Sequence, residues 1–290
     1  ISSGLELCVP GKWIIMIRRY GDWSRIWLGE RVMEKEGLLY YKEYEAFYEM
    51  AEKSAAFQRF CRDAFGQDFS QDGFSDIGQV DMILPYIPAK GDVHILDIGC
   101  GNGKMLGYLQ EKTGAFIHGF DYYRAAIAAA RASFAERADF QEGIIGGIEY
   151  PEHSFDMVIS MDTMYFAEDM GAFVAQIRRW LKPDGMLFVG YQEGELVPRT
   201  CDGHTTELAK ALQKNEMNYE VRNITKQTYE LLKTKREAAM VHKAEFEKEK
   251  HLEWFDMLMM QTMCAEESFE EFEKAMARYI YTAGKNICSD

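Results

Sequence analysis

The sequence has few cysteines and no long apolar run. It contains six cysteines in 290 residues, and no two of them form a Cys-x-x-Cys pair. Scattered cysteines are typical of a reducing compartment and provide neither a disulfide framework nor a zinc-binding set. We therefore expect a cytoplasmic protein without a metal site. No apolar run approaches the roughly 20 residues that span a bilayer, so we expect no membrane partner.

Basic residues are also scarce. The chain has 33 Lys and Arg against 47 Asp and Glu, which gives a net charge of −14. An acidic surface repels phosphate backbones, and no basic stripe interrupts it, so nucleic acid is not expected as a partner. The same field favours a neutral or cationic ligand such as an amine, although solubility alone also explains net acidity.

Hydrophobic periodicity divides the chain into four segments. Residues 1–90 predict an N-terminal helical cap. In residues 91–225, short apolar runs alternate with helical patterns, which is typical of a parallel sheet with crossover helices. Residues 226–278 predict a helical insertion, and residues 279–290 predict a last strand with a tail.

The strongest local signal is a glycine-rich loop between a predicted strand and a predicted helix. It consists of Asp97-Ile-Gly-Cys-Gly-Asn-Gly103. Glycines let the backbone turn sharply and approach a ligand closely, and the following helix offers free N–H groups. Further on, Asp121 ends the second predicted strand, where a carboxylate can bind ribose hydroxyls. The pattern predicts a site for a nucleotide-type cofactor.

The glycine spacing discriminates between such cofactors. The dinucleotide fingerprint has glycines at its first, third and sixth positions, and the sixth position counted from Gly99 is Lys104. A lysine there would crowd the contact between helix and strand, which disfavours NAD. A Walker phosphate loop does not fit either, because no Gly-Lys-Ser/Thr sequence follows.

With this loop and three further motifs in order, the chain resembles the class I methyltransferase family. The other motifs are Gly119-Phe-Asp121, Ser154-Phe-Asp-Met-Val-Ile-Ser160 and Leu181-Lys-Pro-Asp-Gly185. The resemblance is greatest to bacterial small-molecule methyltransferases with a ubiquinone-biosynthesis-like core. It implies a Rossmann-like α/β fold, with a doubly wound, mostly parallel seven-stranded sheet and a helical insertion before the last strand. It also implies S-adenosylmethionine as the cofactor and S-adenosylhomocysteine as its product.

The resemblance assigns roles in cofactor binding to the glycine loop and the second strand. Asp97 would orient the loop near the amino-acid end of the cofactor. Gly99, Cys100 and Gly101 would pass beside the methionine moiety and the ribose. Asp121 would accept hydrogen bonds from both ribose hydroxyls.

Other residues would contact the adenine and the methyl group. Tyr122 would lie beside the adenine. Many relatives carry Gly-Asp-Ala after the third strand, and here Ile144 takes the place of that acid. The adenine would then depend on apolar packing and on the N–H group of Ile145. Met161 and Tyr165, just past the fourth strand, would border the transferred methyl group.

Methyl transfer from a sulfonium is an in-line displacement, so holding the acceptor close and aligned supplies much of the rate. A general base is needed only if the acceptor is protonated. Candidate bases are Asp162, Tyr165, Tyr191 and His204. Asp162 either accepts a proton or pairs with an ammonium group, or it caps the next helix. A lone loop histidine such as His204 more often has no catalytic role.

Two alternatives concern the helical regions. On the N-terminal helix, Tyr44 or Tyr48 either lines an aromatic pocket over the cofactor or only packs. In the insertion, an apolar face is either lid core or a homodimer surface, and it consists of Trp254, Phe255, Leu258, Met259 and Met263.

The leading hypothesis is a methyltransferase acting on N, O or C of a small-molecule acceptor. A cofactor-binding protein without transfer activity and an NAD-dependent oxidoreductase are the alternatives.

Overall fold

A seven-stranded sheet forms the centre of the molecule. The computed structural model describes residues 41–70, 73–89, 91–194 and 197–285, with the backbone alone for 41–44. The strands are β1 (His94–Ile98), β2 (Phe116–Asp121), β3 (Ala138–Glu142), β4 (Phe155–Met161), β5 (Leu181–Glu193), β6 (Asn218–Asn223) and β7 (Ala277–Gly284). Their order is β3-β2-β1-β4-β5-β7-β6. Strands β1 to β5 pair in parallel, and β7 runs antiparallel between β5 and β6. The predicted doubly wound, mostly parallel sheet is confirmed.

Ten α-helices surround the sheet in the described part of the chain. They are α1 (Tyr41–Lys53), α2 (Ala55–Phe65), α3 (Ile77–Asp81), α4 (Lys104–Thr113), α5 (Arg124–Ser133), α6 (Met170–Trp180), α7 (Glu207–Lys214), α8 (Thr225–Lys248), α9 (Leu252–Gln261) and α10 (Phe269–Ala275). Several begin at a polar side chain that accepts a hydrogen bond from the first turn, as Asp169 does from the Ala172 N–H group. None of the described helices has the length and apolar character to cross a membrane.

Both faces of the central strands are covered, as continuous apolar runs such as those of β1 and β4 predict. One face packs against α6 and α7 around the fully buried Trp180. The opposite face packs against α4, α5 and α3, with Leu106 and Ile127 among its buried residues. The carboxyl ends of β1, β4 and β5 therefore meet at one edge, where ligands bind in open α/β sheets.

The N-terminal helices and the long insertion share a separate hydrophobic core. Phe47 on α1 and Phe57 on α2 pack with Phe246 on α8 and Phe255 on α9. Polar contacts also connect these segments, because the Ser54 hydroxyl donates to Glu249 at 2.6 Å. Regions that lie at opposite ends of the sequence thus form one helical layer.

Candidate active site

The glycine loop follows β1 at the ligand-binding edge of the sheet. Gly99, Gly101 and Gly103 have φ angles of +75°, +54° and +76°, which residues with a Cβ rarely adopt. Space is also restricted, because a Cβ on Gly99 would lie 2.5 Å from Thr163 Cγ2. A Cβ on Gly101 would overlap the Tyr48 hydroxyl. The predicted need for glycine at these positions is confirmed.

Two buried carboxylates lie beside this loop. Asp121 is 5% exposed, and its oxygens accept hydrogen bonds from the Gly101 N–H group at 2.9 Å and the Tyr123 N–H group at 3.1 Å. Burial raises the pKa of Asp121 to about 6, and the two backbone donors partly offset this effect. Burial, and then the charge of Asp121, raise the pKa of Asp97 well above its usual range. Buried carboxylates with perturbed pKa values are typical of functional sites.

Cys100 contributes its backbone rather than its thiol to the loop. Its N–H group donates to the Phe120 carbonyl at 3.1 Å. Its side chain packs against Gly119 on β2, where a Cβ would lie 2.6 Å from the Cys100 sulfur. Burial raises the pKa of the thiol well above its usual range. A protonated thiol against the sheet is a poor nucleophile, which supports a role as a small packing residue.

Helix α1 crosses the ends of β1 and β2. Glu45 accepts from the Ala125 N–H group at the start of α5 at 3.2 Å, and Glu52 accepts from the Asn102 side chain at 2.6 Å. Between them, Tyr48 reaches the glycine loop and lies 5.8 Å from the Tyr123 ring. These contacts place Tyr48 over the glycine loop.

Tyr44, the other aromatic candidate on this helix, has a side chain outside the described residues. Neither glutamate was identified from the sequence, since a lone charge on a helix gives no signal.

The adenine candidates occupy the neighbouring edge, after β2 and β3. The hydroxyl groups of Tyr122 and Tyr123 contact each other. Ile144 is 41% exposed, whereas Ile145 is partly buried against the core. The backbone here is fixed by the Gly143 N–H group, which donates to the Asp121 carbonyl at 2.9 Å.

Asp162 lies after β4, as predicted, but its carboxylate forms an ion pair with an arginine of the same chain. The Arg278 guanidinium on β7 donates to both carboxylate oxygens, at 3.1 and 2.6 Å. The predicted capping role is wrong, because Asp169 caps the next helix. Tyr165, in a short turn after β4, is half-buried with its ring 6.0 Å from Tyr191. Sequence reasoning missed Arg278, although an arginine within an otherwise apolar strand is an unusual residue for a buried position.

His204 lies beside β6, and its role as a general base stays a prediction. Its Nδ1 lies 3.2 Å from the Tyr219 hydroxyl on β6. Strand β6 lies two places beyond β5, because β7 stands between them. The sequence does not reveal that β7 separates β5 from β6.

Lys104 does not crowd the sheet either. Its ammonium group turns away to Ser70 at 2.6 Å and Asp68 at 3.1 Å. The close contact between helix and strand involves Gly103 instead, where a Cβ would lie 2.9 Å from the Phe140 ring. Among the described residues, no group of three or more His, Cys, Asp or Glu side chains is arranged to hold a metal ion.

Comparison with known proteins agrees with this geometry. Residues 96–189, from β1 to β5, match the methyltransferase domain family. This segment is a class I methyltransferase domain. The match includes the glycine loop, Asp121 and the loop after β4, so the predicted family resemblance is confirmed.

Two curated methyltransferases resemble this domain. The chain is 29% identical over 136 residues to sterol 24-C-methyltransferase ERG6B of Gibberella zeae, covering 45% of this chain and 35% of that protein. It is 33% identical over 113 residues to the ubiquinone biosynthesis O-methyltransferase of Neisseria meningitidis, covering 36% and 48%. The alignments thus span half or less of these relatives.

A solved methyltransferase shares the fold over most of the described chain. Phosphoethanolamine N-methyltransferase 2 of Haemonchus contortus, in complex with S-adenosyl-L-methionine, superposes with a TM-score of 0.65 at 19% identity. The match covers 86% of this chain and 60% of that one. The Rossmann-like methyltransferase fold therefore extends beyond the segment with detectable sequence similarity.

Proposed function

We propose that this chain is an S-adenosylmethionine-dependent methyltransferase that moves a methyl group to N, O or C of a small-molecule acceptor. The observation that carries the proposal is the glycine loop with Asp97 and Asp121 buried beside it. Two carboxylates withdrawn from water fit a ligand that carries hydroxyl and ammonium donors. A loop of three positive-φ glycines fits a backbone that a ligand approaches closely.

The geometry of the glycine loop supports the following cofactor contacts. Asp121 would hold the ribose, with Tyr122 at the adenine, and the backbone of Gly99 to Gly101 would border the ribose and the methionine moiety. Ile144 and Ile145 would give the adenine apolar contacts and a backbone donor in place of a side-chain carboxylate. When bound, the cofactor supplies an activated methyl group and leaves as S-adenosylhomocysteine.

The residues around the methyl position act by placing the acceptor and excluding water. Met161 and Tyr165 border this position from β4, and Tyr48 closes it from α1. In-line displacement at a sulfonium depends mainly on proximity and alignment. The two oxygens of Asp162 are already bound by Arg278, so Asp162 is not the base that a protonated acceptor would need.

The acceptor we propose is a small molecule, with an amine favoured by the net charge of −14. The related methyltransferases are named for a sterol carbon, for O-methylation in ubiquinone biosynthesis and for N-methylation of phosphoethanolamine, so relatives do not select one atom.

We also propose the four-part division at residues 90, 225 and 278, and a cytoplasmic location. The location is supported by described cysteines that form no disulfide. The exposed side chain of Met263, at 42%, leaves part of the insertion surface available for a homodimer.

Calorimetric titration with S-adenosylmethionine tests the proposal. We expect Asp121→Ala to weaken binding by about 1.5–3 kcal/mol, which is roughly 10- to 150-fold in Kd, because hydrogen bonds to a charged group are lost. Asp256→Ala, which removes an exposed carboxylate on α9, serves as the control and should bind like the parent protein.

Each alternative has its own outcome. A folded protein that does not bind S-adenosylmethionine would exclude the methyltransferase function. Binding of NAD instead would favour an oxidoreductase. The Lys104 side chain turns away from the sheet, so steric crowding does not exclude this alternative. Binding without turnover across amine, hydroxyl and carbon acceptors would favour a cofactor-binding protein, which the replacement of the adenine acid by Ile144 also suggests.

A further inference from the structure

We propose that Arg278 and Asp162 form a positioning pair that fixes the loop after β4 beside the transferred methyl group and couples this loop to the helical insertion. The inference rests on the proposed function and assigns a role to Arg278, a residue outside the segment that matches the methyltransferase family. Neither residue needs to touch the reacting atoms for this role.

Arg278 is fully buried, and all five of its guanidinium N–H donors are engaged. Nε and Nη2 donate to Asp162, as described above, and Nη2 also donates to the Ser75 hydroxyl at 3.1 Å. Nη1 donates to the Phe74 carbonyl at 2.6 Å and to the Gln79 side chain. Because no donor is left over, Arg278 acts as a structural clamp rather than as a binding group for an anionic substrate.

The clamp lies directly against the predicted methyl position. Gly190 on β5 leaves room for it, since a Cβ there would lie 3.1 Å from Arg278 Nη2 and 3.0 Å from Met161 Cε. The guanidinium and the Met161 side chain therefore share the space above one glycine. Any displacement of Arg278 would change the packing of Met161.

Asp162 holds the loop in an unfavourable backbone conformation. Its φ angle is +58°, in the left-handed region, and its N–H group donates to the Gly190 carbonyl at 2.9 Å. The next residue, Thr163, donates to the Ile98 carbonyl at 2.8 Å and contacts Gly99. The loop is thus held between the end of β5 and the glycine loop, and the carboxylate fixes its middle.

Arg278 also connects this loop to the helical insertion. The backbone N–H group of Arg278 donates at 3.1 Å to the hydroxyl of Thr225, the first residue of α8. The Phe74 ring lies 5.8 Å from the Arg278 guanidinium on β7 and 5.9 Å from the Lys235 ammonium on α8. A shift of α8 would therefore reach Asp162 through a single side chain.

Stability alone is a weak reason for such a pair. The desolvation of a buried guanidinium and a partly buried carboxylate offsets much of their attraction, and apolar residues of similar volume often give equal stability. A bidentate guanidinium–carboxylate contact does provide directional geometry. This geometry fixes the loop that carries Met161 and Tyr165.

The experiment measures the ¹³C resonance of S-adenosylmethionine labelled in its methyl group and bound to the protein. We expect Asp162→Asn and Arg278→Lys to bind the labelled cofactor and to displace the methyl resonance, because the loop beside it moves. Thr225→Val should displace it in the same direction by a smaller amount. Asp156→Asn is the matched control, since it breaks a 2.6 Å ion pair with Lys182 at the other end of β4.

The outcomes separate this inference from the proposed function. Failure of the parent protein to bind the labelled cofactor would reject both. Binding by all variants with an unchanged methyl resonance, or an equal displacement in Asp156→Asn, would overturn the positioning role alone. Loss of cofactor binding in folded Asp162→Asn would also overturn it and would place Asp162 in the binding site. If Asp162→Asn does not fold, Thr225→Val and Arg278→Lys decide the question.

Discussion

Replacing Asp121 by asparagine should stabilise the ligand-free protein more at neutral pH than in acid. Burial raises the pKa of Asp121 from 3.8 to about 6, so the folded state binds this proton more tightly than the unfolded chain does. The contribution is fully present below about pH 3.8 and is lost as the pH rises through 6. At 1.36 kcal/mol for each factor of ten in proton affinity, the full loss is about 3 kcal/mol.

The measurement is urea unfolding of the parent protein and Asp121→Asn at several pH values between 4 and 7.5. The free energy of unfolding of the variant, minus that of the parent, should become more positive by about 2–3 kcal/mol over this range. Titrating groups that do not interact with Asp121 act alike in both proteins and cancel in the difference. Relief of Asp97 from the charge of Asp121 acts in the same direction. Asp256→Asn, at an exposed carboxylate, should give a flat difference. A flat difference for Asp121→Asn as well would refute the reasoning.

Three further outcomes are expected. The Kd for S-adenosylmethionine, measured by calorimetry, should rise up to about tenfold for each pH unit below 6, because the proposed ribose contact favours ionised Asp121. A constant Kd between pH 5 and 7.5 would contradict this. Gly103→Ala should destabilise the protein by roughly 1–3 kcal/mol in thermal unfolding, since its Cβ would press on Phe140, whereas Gly114→Ala, with φ of +70° and open space, should lose only about 1 kcal/mol. Burial lowers the pKa of His118 to about 4, so stability of up to about 3 kcal/mol should be lost as the pH falls from 6.5 to 4. His118→Asn should remove that loss in acid denaturation, and an unchanged acid profile would argue against it.

Local features of the site could be predicted from the sequence because they are encoded within a few residues. Three glycines in one short loop indicate positive φ angles, and an acid at the end of the next strand indicates Asp121. Long-range features could not be predicted this way. Arg278 and Asp162 are 116 positions apart, and nothing near either residue indicates its partner. The position of His204 beside β6 depends on strand order, which local periodicity does not encode.

The shared core of the helical layer determines the order in which the site can be completed during folding. Ser54 and Glu249, which join α2 to the end of α8, are 195 positions apart. Contacts between such distant positions carry more loop-closure entropy than contacts between near segments, and they form later on average. Strands β1 to β5 and the glycine loop can assemble from nearer segments, as β1 and β2 do across a single helix. We therefore expect a folding intermediate with the cofactor edge formed and α1 not yet docked over it. In that state Tyr48 would not yet cover Gly101, so the cofactor could enter before the helical layer closes.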